Sequence, residues 1–447
     1  MRVADGEGAG EAIDPRALFA RFAGEHAMAL AVSGGADSLA LLLLAAAWRG
    51  ARAERARLLV LCVDHGLRAE AAAEAAMAGD VAARLGLDFR ILRADRVLPD
   101  ADVEAAARAL RYRLLADAAR AEGISLILTA HHADDQAETL LLRLARGSGV
   151  YGLSAMAAET AAGDSIVGAG EGCLRIARPL LGLRRADLAA YVRRAGLAPA
   201  EDPHNVDDRF ARARLRKLMP RLAAEGLDVP RLVTTAARLR RAASAIDVYV
   251  DRLFARAARV DTVGAVRLDA AAFAGEPEEA RLRALARILR AAGGGGYTPR
   301  LRGLDPLHAA MRSDAPLRRT LGGVLVDRRK GDFRFQREAG RSGLAARILP
   351  AGPFAGIYDG RFRIAAEMPA PGYRIAALGA AGRRSLAACL VDGLPEAMAA
   401  SPALFLGDTL IAAPLLGREP PASFPGRIAM EAIVASRLMM RVHDEDS

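Results

Sequence analysis

Met28-Ala-Leu-Ala-Val-Ser-Gly-Gly-Ala-Asp-Ser-Leu-Ala-Leu41 is an apolar run that breaks at Ser33-Gly34-Gly35-Ala36-Asp37-Ser38 and then resumes. Uninterrupted apolar residues from Met28 to Val32 predict a short buried strand, and a helix is expected to begin near Ala36. The two glycines permit positive φ and close backbone approach between them. A strand, a Gly-rich loop and a helix together can hold phosphate. Successive N–H groups form a concave nest, the helix contributes its positive end, and Ser33 and Ser38 can donate hydroxyl hydrogen bonds. Asp37 stands out in this setting, because a carboxylate beside phosphates is repulsive unless a cation lies between them. It therefore predicts a magnesium ion bridging protein and nucleotide. The same six residues would also serve as a plain strand-to-helix turn capped by Asp37 or Ser38. A Walker-type loop is excluded, since no Gly-Lys-Ser/Thr follows.

Upstream, Asp14-Pro15 predicts a helix start, with the cap followed by Pro at the first helical position. Downstream, Arg57 to Val63 reads as a strand buried on both faces, ending at Asp64-His65-Gly66-Leu67-Arg68. Ala69 to Leu85 reads as a helix, Phe89 to Leu92 as a third strand, Asp102 to Glu122 as a helix with Arg108 and Arg111 on one face, and Ser125 to Thr129 as a fourth strand. This alternation predicts an α/β fold, a doubly wound parallel sheet whose ligands bind at the carboxyl ends of its strands. The Ser33 loop, the Asp64-His65 turn and the segment beginning at His131 all fall at such ends.

That last segment is Ala130-His-His-Ala-Asp-Asp-Gln-Ala-Glu-Thr139. Asp135, Glu138 and Thr139 lie within one helical turn. The adjacent histidines do not form a His-Glu-x-x-His metal motif. An N-capping run with Asp134 or Asp135 as cap and Glu138 in the first turn is the structural alternative. Arg146-Gly-Ser-Gly149 then reads as a helix end. Ala157 to Cys173 reads as an exposed loop, Leu174 to Leu181 as an edge strand and Arg184 to Ala195 as a helix. From Arg209 to Arg241 Arg and Lys far outnumber acids, which suggests either a solvated basic helix or one that tracks a phosphate backbone.

The rest of the chain is built differently. Pro230 to Arg259 and Glu276 to Ala292 read as long helices, Gly293 to Gly296 as a loop with no preceding strand, and Arg319 to Arg337 as a hairpin around Lys330-Gly331. Beyond Pro350 come short strands (Phe362 to Ala365, Leu404 to Leu406, Thr409 to Ala412) and an acidic tail, His443 to Ser447. The expected organisation is an N-terminal catalytic domain over 1–217, a mainly helical domain with a terminal hairpin over 218–345, and a small α+β domain over 346–447.

With 447 residues and 52% hydrophobic content, the chain is long enough for several cored domains. Its longest apolar run, Leu39 to Trp48, is too short to span a bilayer, and Met1 to Gly10 is not signal-like, so a cytoplasmic location is expected. Cys62, Cys173 and Cys389 are too scattered for a zinc ribbon or a disulfide framework. The net charge of +10 favours a polyanionic partner.

Ser-Gly-Gly-Xaa-Asp-Ser after a first strand resembles the PP-loop of the ATP pyrophosphatases. The ordered set Ser33–Ser38, Val63-Asp-His-Gly-Leu-Arg68, Arg108-Ala-Leu-Arg-Tyr112, His131–Thr139, Arg146-Gly-Ser-Gly149, Arg178-Pro-Leu-Leu181 and Glu201-Asp-Pro-His-Asn205 resembles the tRNA(Ile)-lysidine synthetases. The resemblance covers the first half strongly, with Ala213 and His204 departing from the usual Asn and Ser. It is weaker at the C-terminus, where Leu394-Pro395 and Pro402-Ala-Leu-Phe405 fit but the Arg usual shortly after that Leu-Pro is absent.

The resemblance implies a ligase acting on the wobble cytidine of the CAU anticodon. The cytidine 2-oxygen attacks the α-phosphate of ATP and releases pyrophosphate; the ε-amine of L-lysine then displaces AMP. Under it Ser33, Gly34, Gly35, Ala36, Asp37, Ser38 and His65 would bind ATP. Asp37, Asp135 and Arg212 would be catalytic, with Asp37 and Asp135 on Mg2+. Arg108, Arg111, His132, Glu138 and Arg216 would face the substrates, Asp135 with Glu138 being alternatively the seat of the lysine cation. A homodimer is among the expected assemblies. A tRNA thiolase on the same fold and a non-catalytic tRNA-binding protein that retains ATP are the competing readings; the first would need a sulfur-relaying cysteine.

Overall fold

The computed structural model describes residues 13–52, 56–64, 70–93, 103–161, 174–198, 211–295, 301–313, 315–340, 343–367, 371–386, 395–424 and 426–440. The chain divides into two compact units, 1–162 with 172–240, and 163–171 with 241–447.

The first unit opens with α1 (Pro15–Phe19), capped by Asp14, whose carboxylate accepts the Arg16 N–H at 2.8 Å. Five parallel strands follow: β1 (Ala27–Ala31), β2 (Arg57–Asp64), β3 (Asp88–Arg93), β4 (Leu126–Leu128) and, beyond a short β5 (Glu159–Ala161), β6 (Arg175–Ala177). They are interleaved with α2 (Ala36–Gly50), α3 (Glu70–Arg84), α4 (Val103–Ala121), α5 (Ala133–Ala145) and α6 (Val150–Leu153). α7 (Arg185–Arg194), α8 (Ala211–Ala224) and the start of α9 (Val229–Ala257), as far as Arg240, complete the unit. The core is the apolar side chains of β1 and β2 packed on α2 and α3, with the Phe19 and Trp48 rings stacked 5.7 Å apart. Such burial is the main favourable term in folding, at roughly 25 cal/mol per Å² of apolar surface.

Strand order is β3-β2-β1-β4-β6-β5. The order reverses between β1 and β4, and at that switch point the loops after two adjacent strands splay apart to leave a crevice. The sequence expectation of an edge strand after Leu174 is corrected: β6 is flanked on both sides, and the edge is β5, antiparallel to it. β5 escaped the sequence reading because three residues carry too little periodicity to stand out.

In the second unit, β7 (Ala258–Val260), β8 (Val266–Asp269), β9 (Arg318–Leu321), β10 (Val324–Arg329) and β11 (Asp332–Arg337) form an antiparallel sheet ordered β7-β8-β11-β10-β9. It shares a core with α10 (Ala270–Ala274), α11 (Glu278–Gly293) and α12 (Leu301–Arg312). The β10–β11 hairpin turns at Lys330 (φ 50°) and Gly331 (φ 85°), both left-handed as a tight primed turn requires. Two smaller sheets follow, β12 (Arg347–Ile348) with β15 (Tyr373–Ala377), β16 (Pro402–Leu406) and β17 (Thr409–Ala412), and β13 (Phe354–Tyr358) with β14 (Phe362–Ala366) and β18 (Ile428–Ala432). These separate sheets motivate our proposal that 346–447 forms its own domain, after a central one over 218–345.

The glycine run at the end of α11 is more than a flexible loop. Gly294 (φ +93°) and Gly360 (φ +61°) meet backbone to backbone: a Cβ on Gly294 would strike the Asp359 carbonyl, and one on Gly360 the Gly294 carbonyl. Beside them Asp359 accepts from Arg337 at 3.1 Å and from the fully buried Arg361 at 2.7 Å. Burial pulls the Arg361 pKa down to about 10, against the opposing pull of Asp359.

No helix among the described residues is long and apolar enough to cross a membrane. Cys62 is buried on β2, while Cys173 and Cys389 lie outside the described residues. Burial, then the Asp64 charge, pushes the Cys62 thiol up to about 11, so it holds little thiolate near neutrality. Cys62→Ala is therefore expected to leave the protein's activity on tRNA unchanged; a tRNA sulfur-transfer product that is lost in this variant would revive the thiolase reading.

Candidate active site at the β1/β4 switch point

One wall is the loop after β1. Gly34 takes φ +79°, and a Cβ there would come within 2.7 Å of the Glu74 carbonyl on α3, so only glycine fits. Gly35 is different: its φ of −73° is ordinary, and the nearest atom to a built Cβ is the Ser33 hydroxyl at 3.9 Å. Only the first glycine thus uses the freedom expected of both.

Ser38 ties the loop together, accepting the Ser33 N–H at 3.1 Å and donating its hydroxyl to the Gly35 carbonyl at 2.9 Å. Its proton is therefore committed within the loop, whereas Ser33 is exposed. α2 starts at Ala36 with Gly35 as N-cap and no side chain capping it, so neither Asp37 nor Ser38 serves as cap. Its first N–H groups face an anion site with the helix dipole behind them.

The opposite wall is the start of α5. The cap is His132, not Asp134 or Asp135: Asp135 N–H donates to His132 Nδ1 at 3.4 Å, and the Asp135 carboxylate accepts the His132 N–H at 3.1 Å. This capping box sets the imidazole between the walls, its Nε2 3.4 Å from Asp37 Oδ2 and 3.6 Å from Asp135 Oδ2. Burial disfavours the imidazolium, but the Asp37 hydrogen bond and the charges of Asp135 and Asp134 outweigh it, so the His132 pKa lies above its ordinary value. The stability this adds is fully present below the ordinary histidine pKa and is lost as pH rises through the elevated one.

Asp134 has a separate task. Arg184 donates to it from two nitrogens, at 3.1 and 3.3 Å, and the Arg185 N–H at 2.8 Å. Burial would raise its pKa, yet these donors hold it below the usual carboxylate range. The clamp joins the start of α7 to the start of α5 and fixes the direction from which α5 enters the crevice. On the flank of α5, Gln136 and the Met156 backbone exchange two hydrogen bonds of 2.8 Å, and Arg143 donates to the Gly152 carbonyl at 2.9 Å. From sequence Asp134 stood only as a cap candidate and Gln136 was not singled out, because their partners are remote or backbone groups.

Glu138 is nearly buried and receives two hydrogen bonds from Arg216 of α8, at 2.6 and 3.3 Å. Arg216 also lies 3.9 Å from Asp135. His131 binds Thr129 through Nδ1 at 2.9 Å. Burial first, then the charges of Arg178, Arg108, Arg111 and Arg212, hold His131 well below its ordinary pKa, so it stays neutral. The crevice is thus acidic on the side of Asp37, Asp135 and Glu138, and basic around His131. Arg108, whose guanidinium lies 5.1 Å from the centre of the Tyr112 ring, and Arg111 come from α4; Arg212 comes from α8. His65 and the segment 199–210 lie outside the described residues.

Among the described residues, Asp37 Oδ1 and Thr139 Oγ1 are buried without a hydrogen-bond partner. An unpaired buried carboxylate oxygen in the first turn after a Gly-rich loop fits a cation. Among the described residues no three His, Cys, Asp or Glu side chains form a complete metal site.

Comparison with known proteins gives the same reading. A family model described as a PP-loop domain matches residues 12–222, spanning both walls. A tRNA(Ile)-lysidine synthase of Bradyrhizobium diazoefficiens is 46% identical over 70% of this chain and 90% of its own length. One from Rhodopseudomonas palustris is 44% identical over 70% and 91%, and one from Ruegeria pomeroyi is 37% identical over 87% and 88%. Likeness that holds at this level from the phosphate loop into the second unit leaves one assignment: the chain belongs to the tRNA(Ile)-lysidine synthase family.

Proposed function

We propose that the protein is an ATP-dependent ligase that adenylates the wobble cytidine of the CAU anticodon of tRNA(Ile) and joins L-lysine to it, forming lysidine. Lysidine formation on tRNA(Ile) and the use of ATP follow from the family. The CAU anticodon, free lysine, magnesium and the residue roles are our reading. The observation that carries these roles is the pairing of an uncapped, glycine-dependent anion loop with an acidic pocket across one switch point.

The Gly34–Ser38 backbone would hold the ATP phosphates, with the chain held open by the Ser38 hydroxyl bridge. Asp37, with Asp135 as second carboxylate, would hold Mg2+, which when bound neutralises the phosphate charge and polarises the α-phosphorus. In-line attack by the cytidine oxygen needs positioning and charge stabilisation rather than a protein nucleophile, and Arg212 and Arg108 stand on the basic side to provide it. Glu138 would receive the lysine amine, with Asp135 beside it as the alternative to its place on Mg2+. A carboxylate there orients the nitrogen and takes its proton as it displaces AMP.

The basic, exposed face of α8 and early α9, with Arg214, Lys217, Arg221 and Arg231, suits a phosphate backbone. The test is incorporation of labelled L-lysine into tRNA(Ile) bearing CAU, with the methionine tRNA of the same anticodon as control. Incorporation into the first alone is expected; no ATP- and tRNA-dependent incorporation would refute the proposal.

A further inference from the structure

The acidic pocket already holds a cation, and the cation is the protein's own. Arg216 meets Glu138 with two nitrogens, at 2.6 and 3.3 Å, and approaches Asp135 at 3.9 Å. Glu138 is 4% exposed in its side chain, so it has no second open side on which to receive an amine. We propose that Arg216 is a latch: it occupies the amine seat in the RNA-free protein and is drawn off by an RNA phosphate, making lysine capture conditional on tRNA. This rests on the reading that Glu138 receives the lysine amine.

The position of Arg216 on its helix supports the exchange. It points inward from α8, whose outer face exposes Arg214, Lys217 and Arg221. A polyanion seated on that face would lie within one helical turn of the latch. Guanidinium forks match phosphate as well as carboxylate, so moving Arg216 from Glu138 to a phosphodiester trades one bidentate ion pair for another. The incoming ammonium simultaneously replaces the charge on Glu138. Neither buried charge is left bare, which is the costly outcome for a half-broken ion pair. The arrangement also delays capture of the second substrate until the nucleotide it modifies is in place.

The experiment is equilibrium binding of labelled L-lysine to the full-length protein, with and without tRNA(Ile), for the parent, Arg216→Gln and Glu138→Gln. Without RNA, Arg216→Gln is expected to bind lysine about tenfold more tightly than the parent, because the competing state is removed. The parent should gain a similar factor on adding tRNA, and the variant little, since the two effects are one coupling. A merely structural role for Arg216 would weaken lysine binding or leave it unchanged, and either result overturns the latch. Should Arg216→Gln fail to fold, the parent alone decides, because equal lysine affinity with and without tRNA also overturns it. Glu138→Gln separates the underlying reading: lysine binding undiminished in that variant sinks the site assignment itself, whereas its loss there, with no gain in Arg216→Gln, sinks only the latch.

Discussion

Asp37→Asn is expected to lower tRNA- and lysine-dependent pyrophosphate release by about a thousandfold while leaving the fold intact. The substitution keeps the shape of the side chain and removes its charge. In the parent, Oδ1 is buried without a partner at the mouth of the phosphate loop, and Oδ2 lies 3.4 Å from His132 Nε2. Without that charge the loop would lose the carboxylate proposed to hold a cation against the phosphates. The fold should be retained, because relief of the like charge of Asp135 across the same imidazole offsets part of the lost Asp37–His132 pairing. A second readout comes with the first. The Asp37 hydrogen bond is the largest of the contributions that raise the His132 pKa, so titration of His132 by NMR should move downward in Asp37→Asn. Turnover that survives the substitution would mean that the loop is not the catalytic phosphate site.

Gly360→Ala is expected to destabilise the second unit by about 3–5 kcal/mol, measured as the shift in urea unfolding. Two penalties add. A φ of +61° is left-handed, which costs an L-residue roughly 1–2 kcal/mol. The new Cβ would also run into the Gly294 carbonyl, a backbone atom at the end of α11 that cannot swing away as a side chain would. Displacing it disturbs Asp359, on which both Arg337 and Arg361 depend. Gly417→Ala is the control, since its φ is +76° with nothing within 4 Å of a built Cβ. It should show the first penalty alone, and equal losses in the two variants would refute the packing argument.

The strands of the first unit were legible because each is a local event. Met28 to Val32 against Ala27–Ala31 and Arg57 to Val63 against Arg57–Asp64 differ by a residue, the ordinary uncertainty of an element's end. Asp14-Pro15 worked for the same reason, the capping carboxylate and the Arg16 N–H that donates to it being two residues apart. The capping of α5 was less legible, because His132, Asp134 and Asp135 compete for one role and the choice depends on what else each carboxylate meets. Once Arg184 takes Asp134, the cap falls to His132.

By itself the sequence determined that a phosphate loop with a carboxylate in it follows the first strand of a doubly wound sheet, and that a second polar cluster follows the fourth. Periodicity, glycine and capping chemistry act over about one turn of chain, and those features need no more. The tertiary structure alone decided which cluster faces the loop, by reversing the strand order between β1 and β4. It alone paired Asp134 with Arg184 across 50 residues and Glu138 with Arg216 across 78. It also turned a run of glycines into a backbone contact with the turn at Asp359–Gly360. Charges and carbonyls at such separations leave no periodic trace in the chain; their meeting is set by topology and packing, which is why the acidic pocket and the cation inside it become visible only in the fold.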